Sequence, residues 1–192
     1  MKSRIRHFAA AVLAGLTLLS CAATHLTSFV HPEYNFGQVE RVAVVPFENL
    51  TTDQGTGSYV TRVFLTELLA TGAFDIVEPG EVTKTVGMLS AGRGAEMSMD
   101  QLKKAGKDLG VQAIIFGTVG ESADLRSSSG VNSHVVSVDL RMVDTETGTT
   151  IWSAVVNTGG PGFFTRFLGA GEQSRSAAVE KAVHKAVHSL VK

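Results

Sequence analysis

The chain has 192 residues, 44% of them hydrophobic and 18% charged, with a formal net charge of -1, one cysteine and four prolines. This composition suits one globular domain and argues against a disordered chain, a collagen or a coiled coil. One cysteine cannot close an intramolecular bridge, and a near-neutral balance argues against a nucleic-acid partner, which calls for a basic face.

Lys2, Arg4 and Arg6 precede an uncharged apolar run from Phe8 to Leu19. The run is shorter than the roughly 20 residues of a spanning helix, so residues 1–20 read as a bacterial export signal. Leu18-Leu19-Ser20-Cys21 resembles the lipobox of bacterial lipoproteins, which implies acylation of Cys21 and cleavage just before it. The remaining chain then carries 14 basic and 18 acidic side chains, a net charge of -4. Several acyl chains give durable anchoring where a single chain is marginal. Ala22 in place of an aspartate implies, by resemblance to enteric lipoproteins, transfer to the outer membrane. The expected location is its periplasmic face, held by lipid.

Residues 21–40 are expected to be a lipidated terminus and flexible tether, since AATHLTSFVHPEYNFGQVE shows neither helical nor strand periodicity and contains Pro32 and Gly37. Extended, it could reach about 60 Å at roughly 3.3 Å per residue. His25 and His31 lie in it without a third ligand nearby and read as solvated.

The domain is expected over 41–192. Val42 to Phe47 form a nearly continuous apolar strand that exits at Pro46. Val60, Val63, Phe64, Leu65, Leu68 and Leu69 recur at helical spacing, with Ser58 as a plausible cap and Gly72 as a stop. FDIVEP reads as a second strand and EVTKTVGML as a short helix with Pro79 near its start. Ser98-Met99-Asp100-Gln101 fits a capping box for the next helix, and VQAIIFGTVG follows as a strongly apolar strand. SHVVSVDLRMVD alternates, Gly148 suits a turn with positive φ, and TIWSAVV returns as an antiparallel partner. Val179, Ala182, Val183, Ala186, Val187 and Leu190 line one stripe of a last helix. The fold class that follows is α/β, a mixed sheet with helices packed on it and an antiparallel hairpin in the second half.

VAVVPFENLT, YVTRVFLTELLATGAFDIVEPGEV, AGKDLGVQAIIFGTVGE and VDLRMVDTETGTTIWS, in this order, carry a family resemblance over roughly residues 40–192. The chain resembles the curli secretion-channel (CsgG) family and related periplasmic lipoproteins, including the penicillin-binding-protein activator LpoB. The resemblance implies a domain similar to the TolB amino-terminal domain that works through protein contacts without catalysis. The channel side fits less well. Curli channel subunits add two barrel hairpins, whose strands need about 9 to 11 residues of alternation each. ADLRSSSGVNSH lacks that alternation, and NTGGPGFFTRFLGAGEQ is too short for two spanning strands and a turn.

Within that second loop, Phe163, Phe164, Phe167 and Leu168 cluster around Arg166. Aromatics with arginine suit a protein interface or a membrane-surface contact, and a loop folded back over the sheet accounts for them as well.

No Gly-x-Ser-x-Gly elbow, His-Glu-x-x-His helix or P-loop is present in the sequence. His184 and His188 form an i, i+4 pair without an evident third ligand, beside Lys181 and Lys185 on a polar helix side. Gly55-Thr56-Gly57-Ser58 has the placement of a phosphate loop but no following lysine, and turn glycines with a serine cap explain it. Glu78 with Glu81 and Asp144 with Glu146 read as a helix entrance and a turn, and Asn49-Leu50-Thr51 as a loop. No catalytic residue, metal or cofactor is expected. The reading is a non-catalytic lipid-anchored adaptor assisting envelope assembly, secretion or cell-wall machinery, monomeric or homo-oligomeric. The alternative is a subunit of a CsgG-like secretion ring or channel.

Overall fold

A computed structural model describes residues 24–90, 97–122, 135–158 and 175–191. Among the described residues seven strands form one sheet: β1 (Thr24–Val30), β2 (Arg41–Val44), β3 (Glu48–Asn49), β4 (Asp75–Ile76), β5 (Ala113–Ser122), β6 (Val135–Asp144) and β7 (Thr150–Thr158). The helices are α1 (Thr56–Thr71), α2 (Pro79–Ser90), α3 (Met99–Leu109) and α4 (Arg175–Leu190). The order across the sheet is β1-β7-β6-β5-β2-β4, and β3 continues the line of β2 beside β5. β2, β4 and β5 run parallel through helical crossovers, whereas β5, β6, β7 and β1 are antiparallel. The class is α/β with a mixed sheet.

β2 is covered on both faces, which is why Val42, Ala43 and Val44 are all buried and the strand reads as an unbroken apolar run. One face of the sheet packs on α1 through Val60, Phe64 and Leu68, and on α4 through Val179, Ala182, Val183, Ala186, Val187 and Leu190. The other face packs Ala43, Ile114 and Phe116 against Val82 of α2 and Leu102, Ala105 and Leu109 of α3. Burying one such aliphatic or aromatic side chain stabilises by roughly 1.5–3 kcal/mol, so the two layers of helices hold the sheet from both sides.

α1 ends as expected at Gly72, whose φ of 63° is the left-handed conformation glycine adopts without strain. It begins earlier than expected, at Thr56 after Gly55, and Ser58 is not the cap. Its first turn packs closely on the preceding segment: a Cβ on Gly57 would stand 2.8 Å from Cβ of Asn49 and 3.0 Å from the Phe47 carbonyl oxygen. Leu69 is exposed rather than in the core, because it lies about 100° around the helix from fully buried Leu68. The strand expected over Val42 to Phe47 is β2, which stops at Val44. At α3 the capping box is present: Gln101 N donates to Ser98 Oγ at 3.3 Å, and Ser98 N donates to Gln101 Oε1 at 2.8 Å.

β6 and β7 bury Val136, Val138, Leu140, Met142, Trp152, Ala154 and Val156 against the α1 and α4 layer. A register shift leaves Ile151 unpaired between Thr150, opposite Val143, and Trp152, opposite Met142. This bulge turns both Ile151 and Trp152 into the core, where neither is exposed.

Residues 24–40 depart from the expected tether. Thr24 to Val30 form β1, paired antiparallel with β7 from Thr24↔Thr158 to Val30↔Trp152. Backbone pairing, more than side-chain burial, holds this strand: all its residues but Thr24 are exposed, so the buried alternation that identifies a strand from sequence is missing. Residues 31–40 then cross the ends of the central strands to reach β2. His31 N donates to Ile151 O at 2.9 Å, Val39 is buried, and Gln112 Oε1 accepts from Glu40 N and Arg41 N.

Candidate functional site

The helices α2 and α3 cover β4, β2 and β5 but leave the same face of β6, β7 and β1 without a helix among the described residues. Antiparallel partners share a face, so the pairing aligns three rows across this open half. They are Ser137, Asn157 and His25; Asp139, Val155 and Thr27; and Arg141, Ser153 and Phe29. The rows are mixed polar and apolar, as a solvated sheet face requires. The Arg141 guanidinium carbon lies 5.2 Å over the ring of Phe116, which fixes the inner border of the surface by a cation–π contact.

β1 forms the outer border. Phe29, 45% exposed, lies on this face, whereas Leu26 and Val30, 37% and 48% exposed, pair with Val156 and Trp152 and lie on the α4 side of the same edge strand. Among the described residues no strand pairs with its outer edge. From Phe29 an aromatic chain continues through His31 and Tyr34 to Phe36 by edge-to-face contacts at 6.2, 6.5 and 5.2 Å. Asp144 anchors it. Its Oδ2 accepts from the Tyr34 hydroxyl at 2.6 Å, while Oδ1 accepts from Glu146 N, Thr147 N and Thr147 Oγ1.

Burial works against the charge of Asp144, but the hydrogen bonds from Tyr34, Thr147 and Glu146 outweigh it and hold the carboxyl below its ordinary value. Tyr34 is pushed well above its ordinary value, first by burial and then by its bond to the Asp144 carboxylate. Asp144 with Glu146 is thus a turn and clamp, with the carboxylate occupied by structural donors.

Other candidate residues are dispersed. His184 Nδ1 stands 3.2 Å from Glu67 Oε2 on α1, and its ring meets that of His188 at 4.2 Å, on an exposed helix face. No group of three or more His, Cys, Asp or Glu side chains that could hold a metal occurs among the described residues. At Gly55 the loop is closed on itself: Gly55 N donates to Asp53 Oδ1, Asn49 Nδ2 to Asp53 O, and Thr51 to Asn49 Oδ1. Cys21 and the cluster of Phe163, Phe164, Arg166, Phe167 and Leu168 lie outside the described residues, as does the ADLRSSSGVNSH segment from Ala123 onward. Among the described residues no helix is long and apolar enough to cross a membrane.

Sequence reasoning missed β1, the aromatic chain and the Tyr34–Asp144 pair. The available signal was weak: four ring-bearing residues, Phe29, His31, Tyr34 and Phe36, spaced two or three apart in a segment otherwise rich in polar residues.

A three-layer domain in which, among the described residues, one half of the sheet carries no helix on one face defines an α/β module that offers contact surface. The sequence model of the peptidoglycan-synthase activator LpoB matches residues 23–157, and the chain belongs to that family. The match runs from the start of β1 almost to the end of β7, so it includes the segment expected to be a tether. Of the two relatives named in the sequence resemblance, the activator is the one the comparisons support.

Among solved structures, the PelC dodecamer from Paraburkholderia phytofirmans is similar at a TM-score of 0.58 and 17% identity, over 88% of this chain and 98% of that one. The LpoB C-terminal domain from Salmonella enterica is similar at 0.47 and 13%, over 62% and 82%. Lipoprotein GNA1162 from Neisseria meningitidis is similar at 0.48 and 17%, over 79% and 99%. No curated protein matches the sequence.

Proposed function

We propose that the protein is a lipid-anchored, non-catalytic activator at the periplasmic face of the outer membrane that binds a peptidoglycan synthase. The observation that carries this reading is the family match over residues 23–157. The open sheet face and the apolar edge of β1 supply a contact surface, and the lipobox-like Leu18-Leu19-Ser20-Cys21 supplies the anchor. The test is the rate of glycan-strand synthesis by the peptidoglycan synthases of the same organism, with and without the protein. A rate increase that saturates at a fixed stoichiometry is expected. No binding and no rate change with any of them would overturn the reading.

A second reading, a subunit of an oligomeric ring, takes its support from the likeness in fold to a protein solved as a dodecamer. Light scattering of the lipidated protein in mild detergent separates the two. A discrete multiple of the subunit mass favours the ring, and a monomer favours the simple activator.

A further inference from the structure

We infer that the folded domain sits directly on the lipid surface that holds Cys21, with the end of the sheet carrying Thr24 facing the headgroups. The inference rests on the lipoprotein reading above and adds to it an orientation and a limit on reach.

The length of chain between the anchor and the sheet carries the argument. β1 begins at Thr24, and its ladder to β7 starts there with Thr24↔Thr158. Cys21 and Thr24 are separated by three Cα steps, which span at most about 11 Å at roughly 3.6 Å each. A tether of some 20 residues would let the domain tumble freely; three steps do not. The end of the sheet that holds Thr24 also holds Ser122, Val135 and Thr158, since Ser122 pairs with Val135 and Asn157 with Ser137. The opposite end holds Asp144, Thr150 and the crossing segment with Tyr34.

Charge toward this end is mixed, with Lys181 and Lys185 on α4 and exposed Glu48 and Asp53 at and beyond β3, and the lysines lie on the α4 side next to Thr24. Lys185 Nζ donates to the Thr24 carbonyl oxygen at 2.9 Å, while Ser189, one turn further on, meets the indole nitrogen of Trp152, the partner of Val30. α4 therefore runs away from the Thr24 end, and exposed Lys181 lies a turn nearer that end than Lys185. Neighbouring Glu180 is turned toward α1, with Oε1 3.5 Å from the Tyr59 hydroxyl. Ammonium groups at this level suit anionic headgroups. The strands are about 30 Å long at roughly 3.3 Å per residue, so a partner must come within about 40 Å of the headgroups to meet the far end.

The test uses the full lipidated protein in phosphatidylethanolamine and phosphatidylglycerol vesicles with a headgroup-bound fluorescence quencher. Acylated Cys21 has no free thiol, so single labels go on Asn157→Cys, exposed near Thr24, and on Glu146→Cys, exposed in the turn beyond Asp144. Several-fold stronger quenching at 157 than at 146 is expected. Inserting 20 Gly/Ser residues after Ala23, which gives a mean span of about 25 Å, is expected to bring the two labels close to equality. Equal quenching in the native-length chain overturns the inference, and so does a label at 157 shielded from both the headgroup quencher and a water-soluble one, which would mean a protein covers that end. Mass spectrometry of the N-terminal peptide separates the causes. Lipid present with equal quenching overturns the orientation alone, whereas absence of lipid removes the anchor and the orientation together.

Discussion

The Tyr34 hydroxyl donates a 2.6 Å hydrogen bond to Oδ2 of Asp144, a residue 110 positions later in the chain. The bond ties the segment between β1 and β2 to the turn between β6 and β7. It thereby closes the far end of the sheet and fixes the path by which β1 reaches the edge. A carboxylate acceptor makes the bond stronger than a neutral one, and its partial burial makes an unpaired partner expensive.

Tyr34→Phe removes the donor and keeps the ring contacts with His31 and Phe36. A loss of about 1.5–3 kcal/mol is expected, in the range for hydrogen bonds to charged groups. Denaturant unfolding measures it; a change within error would mean the bond contributes nothing net.

The same pair makes stability depend on pH at both extremes. The Asp144 carboxyl is lowered in the fold, so its contribution is present above the unfolded value, ordinarily near 3.8, and is lost as pH falls through the folded value. Tyr34 is raised, so its contribution is full below the unfolded value near 10.0 and is lost as pH rises above it. Melting curves should therefore show an acid loss below about pH 4 that is smaller in Asp144→Asn, whose uncharged amide has no such titration. An identical acid limb in both proteins would assign it to other carboxylates.

Gly106 on α3 packs against Thr145, where a Cβ would stand 2.5 Å from Cβ of the threonine. Thr145 is not free to move, since its hydroxyl bonds to Val111 O at 2.9 Å and it is buried. Gly106→Ala is expected to destabilise by about 1–3 kcal/mol through overpacking, despite the better helix propensity of alanine. An unchanged or raised melting temperature would show that α3 can shift.

Trp152 is fully buried beneath α4, and its indole nitrogen donates to Ser189 Oγ at 3.2 Å. Trp152→Ala should cost about 3–5 kcal/mol and loosen α4 first, because the side chain fills the space between helix and sheet. Hydrogen exchange along residues 175–190 locates the effect; uniform loosening of α2 and α3 would contradict it.

Surface and core should separate at β1. Phe29 is 45% exposed, so Phe29→Ser is expected to change stability by less than about 1 kcal/mol while weakening partner binding. Phe163→Ala with Phe164→Ala is expected to behave likewise, with weaker capture and a nearly unchanged melting temperature. A large loss of stability in the second case would assign those rings to covering the sheet.

The legible parts of this protein were those in which one residue's environment follows from its neighbours in sequence. The stripe of α4 was readable because Val179, Val183 and Val187 recur at helical spacing and are all buried. The capping box at Ser98 and the turn at Gly148, with φ of 69°, were readable because local backbone geometry demands those residue types. β1 was not readable, since its ladder partner is more than 120 residues away and an edge strand needs no buried alternation to pair.

The sequence by itself determined an α/β chain with a central apolar sheet, the helices that cover it, and a basic-then-apolar start that ends in Leu18-Leu19-Ser20-Cys21. Periodicity and capping are local properties, and a single chain segment carries them. Tertiary structure decided that residues 24–40 join the fold, that Asp144 serves as a clamp, and that, among the described residues, no helix covers one face of β6, β7 and β1. Each of these depends on which distant segments meet, and hydrogen bonds across 110 residues leave no periodic trace in either segment.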